Sequence, residues 1–455
     1  MNAYMSASRW SRALLVAAVV VAPSVVGAQT PAPGAKIGLQ DAIALALRQS
    51  VDVKQSENSV ASSNATVESK QGAFLPSVAL NSSTARSVGR AGSGSLAGAS
   101  STAQSLNTGI SASLVVFDGM RNVNELRQAK LDVSANTNDL TRTRQTAVYT
   151  VATNYLTLST AEGQLAVQKQ NLAAQEQQEQ QLQTQVKAGA RSISDLYQQQ
   201  ATTASARAGV VTAEQNVELA RISLIQTLQL DPRGTYDFVS PTVADASSVP
   251  HYDLDSLLDR AFTSRSDLAA EKTRVDAAAV GTKAAGSTRL PTVSLSTNYN
   301  ATYNSALANA LGNQLDQSRG GSVSVGVSFP LFDRGATSVA VQQAKIQEDN
   351  ERLQLANEKQ AVALDVRRAY LALETSRQQL AVAIAQQKAA DLAVSTTQAR
   401  YQVGTSSLLE LTQARASQLQ AATAVVSARN ALAFQNALMP YYTGELDPAK
   451  ALLEG

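Results

Sequence analysis

Apolar and small polar residues alternate strictly along four short stretches of this chain, and the long stretches between them carry helical spacing instead. Val293, Leu295, Thr297, Tyr299 and Ala301 fall on one face of an extended segment, with Thr292, Ser294, Ser296, Asn298 and Asn300 on the other. Val323, Val325, Val327 and Phe329 alternate in the same way with Ser322, Ser324, Gly326 and Ser328. Ile110, Ala112, Leu114 and Val116 repeat the pattern earlier in the chain, as do Val78 and Leu80. Period-two alternation predicts strands over 77–86, 108–117, 292–303 and 322–329. Each is close to the roughly 9–11 residues of a tilted membrane strand. A half-buried soluble hairpin alternates identically, so the strands alone leave both readings open.

The helical stretches have clear ends. One runs from Leu39 to Phe74 and stops at Leu75-Pro76, where proline disfavours α geometry in the residue before it. Residues 120–188 contain no proline and one glycine, Gly163, and predict a single helix about 100 Å long at roughly 1.5 Å per residue. Gly189 breaks it, and a further helix covers 193–229 before Asp231-Pro232. The second half predicts helices over 253–289, 335–402 and 406–438.

These two halves are copies. Shifting the chain by 215 residues places Leu290-Pro291 on Leu75-Pro76, Phe332-Asp333 on Phe117-Asp118, Tyr370 on Tyr155 and Gly404 on Gly189. A unit this long is a duplicated half-molecule rather than a solenoid repeat of roughly 20–50 residues. The first and last helices of a repeat, 39–74 and 193–229, together nearly match the long helix 120–188, so two short helices can run beside one long one. Leu158, Leu165 and Leu172 lie seven apart, and Leu373 and Leu380 repeat the first two, which implies coiled-coil-like seams. Segment 168–200 holds 12 glutamines and little apolar material, so the seams there are expected to be lean. That stretch is read either as a solvated low-complexity helix or as a partner-binding surface.

Composition and charge narrow the class. Arg9 and Arg12 precede the apolar run Ala13–Val21, and Val26-Gly27-Ala28 supplies small residues before Gln29, which reads as a secretory signal over 1–28 cleaved after Ala28. Its removal takes away two arginines and no acids, so the net charge of +2 falls to zero. A neutral chain has no broad basic field for nucleic acid. Beyond Ala28 no apolar run approaches the roughly 18 residues of a membrane helix. With one histidine, no cysteine and no clustered metal ligands, the chain predicts no enzyme, no cofactor and no metal site. The division expected is a first repeat over 29–230, a linker over 231–252 containing His251, a second repeat over 253–443 and a tail over 444–455. His251 reads as a surface residue.

An exported chain has a lipid environment available to its apolar sheet face, and helices this long and regular do not fold back over two short hairpins. In lipid a sheet must close to satisfy its backbone, and four strands fall short of the smallest barrels, of about eight. The chain is therefore expected to oligomerise and share one barrel, with the loops 87–107 and 304–319 on the outside face.

In these residues the chain resembles the TolC-like outer-membrane efflux proteins over essentially all of its length after the signal. The matching stretches are Tyr401-Gln-Val-Gly-Thr-Ser-Ser-Leu-Leu-Glu410-Leu, its counterpart Lys187-Ala-Gly-Ala-Arg-Ser-Ile-Ser-Asp195-Leu, the Leu-Pro before each hairpin and the Phe-Asp after it. The resemblance implies a mainly α fold with a membrane β-barrel portion. It also implies a homotrimer with a 12-stranded outer-membrane barrel, continued by a 12-helix periplasmic α-barrel. It implies docking onto a periplasmic adaptor (membrane fusion) protein and an inner-membrane transporter, with passive outward conduction.

The same resemblance implies roles for the two turns. Ala188-Gly189-Ala190 and Val403-Gly404-Thr405 fall on the family's adaptor-contacting tips, although ordinary helix-ending turns fit the same residues. Glu410 falls on the first acid of an acidic constriction, and the second acid of that pattern is Gln413 here, which implies a weaker cation-attracting ring. Asp195 and Tyr401 match members of the network that holds the tip closed. The arginine expected two residues after Gly404 is Ser406, and Arg191 stands at the equivalent place of the first repeat. A plainer reading competes: Ser192-x-x-Asp195 and Ser407-x-x-Glu410 are both capping-box patterns. The function expected is the exit duct of a tripartite efflux pump for small molecules. The alternatives are a protein-secretion duct of the same fold and an exported coiled-coil stalk.

Overall fold

The structure, a computed structural model, describes residues 36–90, 100–239, 250–305 and 310–447. The expected signal over 1–28 lies outside the described residues, as do 29–35 and the parts of the expected loops, linker and tail at 91–99, 240–249, 306–309 and 448–455. The first repeat runs β1 (Lys36–Ile37), α1 (Leu39–Gln49), α2 (Val51–Gly72), β2 (Ser77–Arg90), β3 (Ser100–Phe117), α3 (Arg121–Lys187), α4 (Ile193–Thr227) and β4 (Asp237–Phe238). The second runs α5 (Leu254–Ser264), α6 (Ser266–Gly286), β5 (Thr292–Asn304), α7 (Leu311–Gln317), β6 (Gly320–Ser328), α8 (Ala336–Gln402), α9 (Leu408–Ala437) and α10 (Met439–Thr443).

The single helices predicted over 39–74 and 253–289 are each two helices. The chain turns extended at Ser50 (φ −53°, ψ 129°) and at Arg265 (φ −69°, ψ 123°), positions 215 apart. Neither proline nor glycine marks these breaks. Ser50 caps α2 by accepting from the Val53 N–H at 3.5 Å, and Arg265 is held by a buried ion pair with Asp267 and a longer one with the more exposed Asp365. The break lets the short helices turn an apolar face inward: α1 buries Leu39, Ala42, Ile43 and Ala46, whereas α2 buries only Val53. The strands also depart from prediction. β3 begins at Ser100 rather than 108 and β2 extends to Arg90 rather than 86, because backbone pairing carries a hairpin through Ser-rich sequence that lacks apolar alternation. The expected loop 304–319 contains α7, tied to the sheet by Gln314 Oε1, which accepts from the Asn304 N–H at 2.9 Å.

The four long strands form one antiparallel sheet in the order β2-β3-β5-β6. Its polar face carries serine and asparagine contacts, including Ser77 to Ser113 at 2.8 Å and Ser296 to Ser324 at 2.8 Å. On its apolar face Val78, Leu80, Ile110, Tyr299, Val323, Val325 and Val327 are all exposed, so among the described residues no helix covers it.

Below the sheet the helices pack side by side. α3 lies against α2 through Lys70–Glu125 and Arg144–Glu57, each 2.7 Å, and against α4 through Asn154 to Thr227 at 2.6 Å. Of the seven-residue seams, Leu158 is buried with Leu165 packed against its cluster, Leu373 and Leu380 are buried in a second cluster, and Leu172 is only partly buried. At the waist, β1 pairs parallel with β4, and the Tyr155 hydroxyl donates to the Ile37 carbonyl at 2.8 Å. Opposite, α10 and the following turn close over Arg265. Gly444 there has φ +80°, and an added Cβ would lie 2.7 Å from the Arg265 Cα. Gly444→Ala is therefore expected to lower stability by more than the roughly 1–2 kcal/mol of a left-handed non-glycine residue alone. Thermal unfolding followed by circular dichroism checks this.

Candidate functional site

At the end of the bundle away from the sheet, two helical hairpins turn in the same way. α3 ends with Gly189 N–H donating to the Val186 carbonyl at 3.0 Å and Ala190 N–H to the Gln185 carbonyl at 2.8 Å. α8 ends with Gly404 N–H donating to Tyr401 at 3.1 Å and Thr405 N–H to Arg400 at 2.9 Å. This paired pattern is the Schellman motif, which needs a left-handed residue after the helix. Gly189 (φ +73°) and Gly404 (φ +84°) supply it, with open space around both, so conformation rather than crowding calls for glycine. Ala188 and Val403 complete the turns as the first residues beyond each helix.

The two repeats then diverge. Ser407 caps α9, accepting from the Glu410 N–H at 3.2 Å. The Glu410 carboxylate accepts from the Ser406 hydroxyl at 2.5 Å and the Ser407 hydroxyl at 3.4 Å, and Arg400 lies 4.0 Å away. The Ser406 hydroxyl, then the Arg400 charge and Ser407, hold the Glu410 carboxyl below the ordinary glutamate range although its side chain is exposed. In the first repeat Ser192 accepts from the Ser194 N–H at 3.1 Å, not from Asp195. The three-residue capping spacing thus forms only in the second repeat.

Arg191 crosses between the repeats. It donates to the Tyr401 carbonyl at 2.6 Å, and its guanidinium carbon stands 4.4 Å from the centre of the Tyr401 ring, in cation–π range. Tyr401 is buried with Leu182, Leu408 and Leu411. Burial pushes its phenol up, Arg191 opposes this and the nearby Asp195 charge adds to it. The Tyr401 hydroxyl has no hydrogen-bond partner among the described residues. Arg191 and Tyr401 are thereby brought together, with the Asp195 charge felt at the Tyr401 phenol. Among the described residues no hydrogen bond or ion pair joins Glu410 to Arg191 or Asp195.

Sequence reasoning missed three contributors. Ser406, noted as a missing arginine, is the closest donor to Glu410; its four-residue spacing from Glu410 across the helix start was the available signal. Arg400 contributes its charge to Glu410 and also donates to the Thr405 carbonyl at 3.3 Å. Arg415 is buried just above the turns, donating to Gln178 at 3.3 Å and Gln398 at 3.2 Å, and burial lowers its guanidinium from the ordinary range. Around it part of the glutamine-rich segment turns inward: Gln175, Gln178, Gln199 and Thr203 are buried, with Gln199 Nε2 donating to Gln175 Oε1 at 2.9 Å, while most of the other glutamines there are exposed. His251 lies far from this site on the surface, its Nδ1 2.6 Å from the Arg377 guanidinium.

Comparison with known proteins fits this geometry. The family model described as outer membrane efflux protein matches residues 42–228 and 257–439, one segment in each repeat. Outer membrane efflux protein BepC of Brucella suis biovar 1 (strain 1330) is 24% identical over 322 residues, covering 71% of this chain and 68% of the relative. Among solved structures, CusC superposes with a TM-score of 0.78 at 18% identity, covering 89% of this chain and 92% of that one. VceC of Vibrio cholerae superposes with a TM-score of 0.74 at 16% identity, covering 89% and 96%.

Proposed function

Because this chain belongs to the outer membrane efflux protein family, we propose that three copies pool their four-stranded sheets into one barrel in the outer membrane. A helical tunnel extends from it into the periplasm and passively conducts small toxic molecules outward. The observation that carries this reading is an apolar sheet face left uncovered among the described residues, on a sheet whose outer strands, β2 and β6, each have one edge unpaired there. In water that face is penalised by about 25 cal/mol per Å². In lipid it is matched, but the bilayer then requires every backbone group to pair, which only closure provides. The efflux role follows the function for which the relative BepC is named.

The turns at Ala188–Ala190 and Val403–Thr405 stand farthest from the sheet, and in this reading they meet a periplasmic adaptor, which links the duct to an inner-membrane transporter. Arg191 and Tyr401 tie the two hairpins of one protomer together at that end. Three Glu410 carboxylates, one per copy, then draw cations to the tunnel mouth. Deleting the protein is expected to raise accumulation of a fluorescent efflux dye in cells. Unchanged dye levels with loss of a secreted protein would move the assignment to protein secretion.

The ring makes a pH-dependent prediction. A carboxyl held below the ordinary glutamate value of about 4.3 stays charged throughout the neutral range and protonates only as pH falls through its lowered value. Cation preference in planar bilayers is therefore expected at pH 7 and should fade as pH falls into the carboxyl range, which repulsion among the three carboxylates of the ring shifts upward from that of one chain. Glu410→Gln should show weaker cation preference without that acid limb. A variant that keeps wild-type cation block at pH 7 would leave Glu410 as a capping acid only.

A further inference from the structure

We propose that β6 of one copy pairs with β2 of the next in a single register, in which Ser324 stands opposite Ala85. This rests on the shared-barrel reading above and specifies its seam.

The internal duplication supplies the register. Within the first hairpin Ser77 pairs with Ser113, and within the second Thr292 pairs with Ser328. Both partners have moved by 215, and all nine pairs of the second hairpin, Thr292 through Asn300, coincide with pairs of the first. Duplication has therefore preserved strand register as well as sequence. The seam between the repeats joins β3 to β5 with Gly109 opposite Asn300. β6 is the repeat of β3, and β2 is the repeat of β5. Adding 215 to one partner and subtracting it from the other carries Gly109–Asn300 to Ser324–Ala85, and likewise Ile110–Tyr299 to Val325–Thr84 and Ser113–Ser296 to Ser328–Asn81.

Two further features agree with it. The first is the side on which residues fall. Val325 shares the apolar face with its partner Leu295, and Thr84 shares that same face with Val78 and Leu80. The register places like face against like face, whereas a slip of one residue would set the β6 valines against the polar side of β2. The second is exposure. Leu80 on one free edge is 75% exposed and its repeat mate Leu295 only 37%; Val325 on the other free edge is 69% exposed and its mate Ile110 only 52%. Each edge residue lacks the neighbour that its mate inside the sheet already has, and a second copy supplies that neighbour to both edges at once.

The seam also dictates which pairs accept a cross-link. Ser305 N–H donates to the Gln104 carbonyl at 2.8 Å, which makes 104/305 a hydrogen-bonded pair. Alternation then makes Gly109–Asn300 and Ser113–Ser296 non-hydrogen-bonded pairs, with closer side chains. Their counterparts, Ser324–Ala85 and Ser328–Asn81, inherit the geometry that suits a disulfide. The chain has no cysteine of its own to compete.

The test uses the full chain expressed into the outer membrane, oxidised mildly and run boiled without reductant. Ser324→Cys with Ala85→Cys, and independently Ser328→Cys with Asn81→Cys, are expected to yield a covalent ladder ending at three chains. Ser322→Cys or Gly326→Cys, each combined with Ala85→Cys, is expected to lose that band, because a two-residue offset moves the thiols by roughly 7 Å, beyond disulfide reach. Strongest linkage from an offset pair, or none from either predicted pair while the unboiled protein still runs as a trimer, overturns the register and leaves the duct standing. Absence of a heat-sensitive trimer in the unmodified protein overturns the duct reading itself.

Discussion

Replacing Asp267 by asparagine is expected to destabilise the protein by about 3–5 kcal/mol, the usual effect of removing one partner from a buried ion pair. Arg265, at the break between α5 and α6, is only 4% exposed, and its side chain is held by both oxygens of Asp267. Arg142 of α3 approaches the same carboxylate at 3.3 Å, and the Leu268 N–H donates to it at 2.9 Å. Arg142 in turn fastens the C-terminal turn, donating to the Tyr441 carbonyl at 3.1 Å with its guanidinium carbon 4.1 Å from the Tyr441 ring centre. Without the acid, two guanidinium groups remain side by side in a poorly solvated waist. Asp365, the other acid near Arg265, is 3.8 Å away and more exposed, so it compensates little.

The pH dependence has a definite sign. Burial alone would raise the Asp267 carboxyl, but the hydrogen bonds and charge of Arg265, with Arg142 behind them, hold it below the ordinary aspartate range. A depressed carboxyl contributes stability that is fully present above the unfolded value of about 3.9 and is lost as pH falls through the folded value. Asp139 and Glu358, raised mainly by burial, act in the opposite sense and add stability as they protonate at somewhat higher pH. The wild type should therefore weaken steeply only below about pH 4, and Asp267→Asn should lose much of that acid limb. A loss below about 1 kcal/mol in detergent would show that the waist is solvated like a surface pair.

Val325→Arg is the second large effect. Val325 is 69% exposed on the apolar face of β6, so on a soluble sheet an arginine there would be nearly free. Facing lipid near the bilayer centre it is expected to cost roughly 2–4 kcal/mol per copy, repeated in every protomer of the barrel. Outer-membrane yield should fall sharply. Ser324→Arg, one residue away on the polar face opposite Ser296, should be tolerated far better. Equal behaviour of the two variants would remove lipid from the account.

Most of the architecture was legible because the duplication let each half check the other. Pro76 and Pro291 end helices, Gly189 and Gly404 end the longest ones, and the strand faces kept their parity across 215 residues. The breaks at Ser50 and Arg265 were not legible, since no local breaker marks them and Arg265 is fixed by Asp267 and Asp365. The extension of β3 back to Ser100 came from cross-strand pairing that leaves no apolar trace. At the turns, Glu410 and Arg191 could be singled out, but not that Ser406 would serve Glu410 while Arg191 reached Tyr401. The Arg191–Tyr401 pairing depends on how two separated hairpins meet, as does the burial of Arg415 between Gln178 and Gln398.

The most direct test of the duct is the migration of an outer-membrane fraction on a denaturing gel with and without boiling. The predicted result is a band near three times the single-chain mass that collapses to one chain on boiling. Single-chain mobility before boiling, or recovery of the protein with the soluble periplasmic fraction, would contradict a barrel shared by three copies.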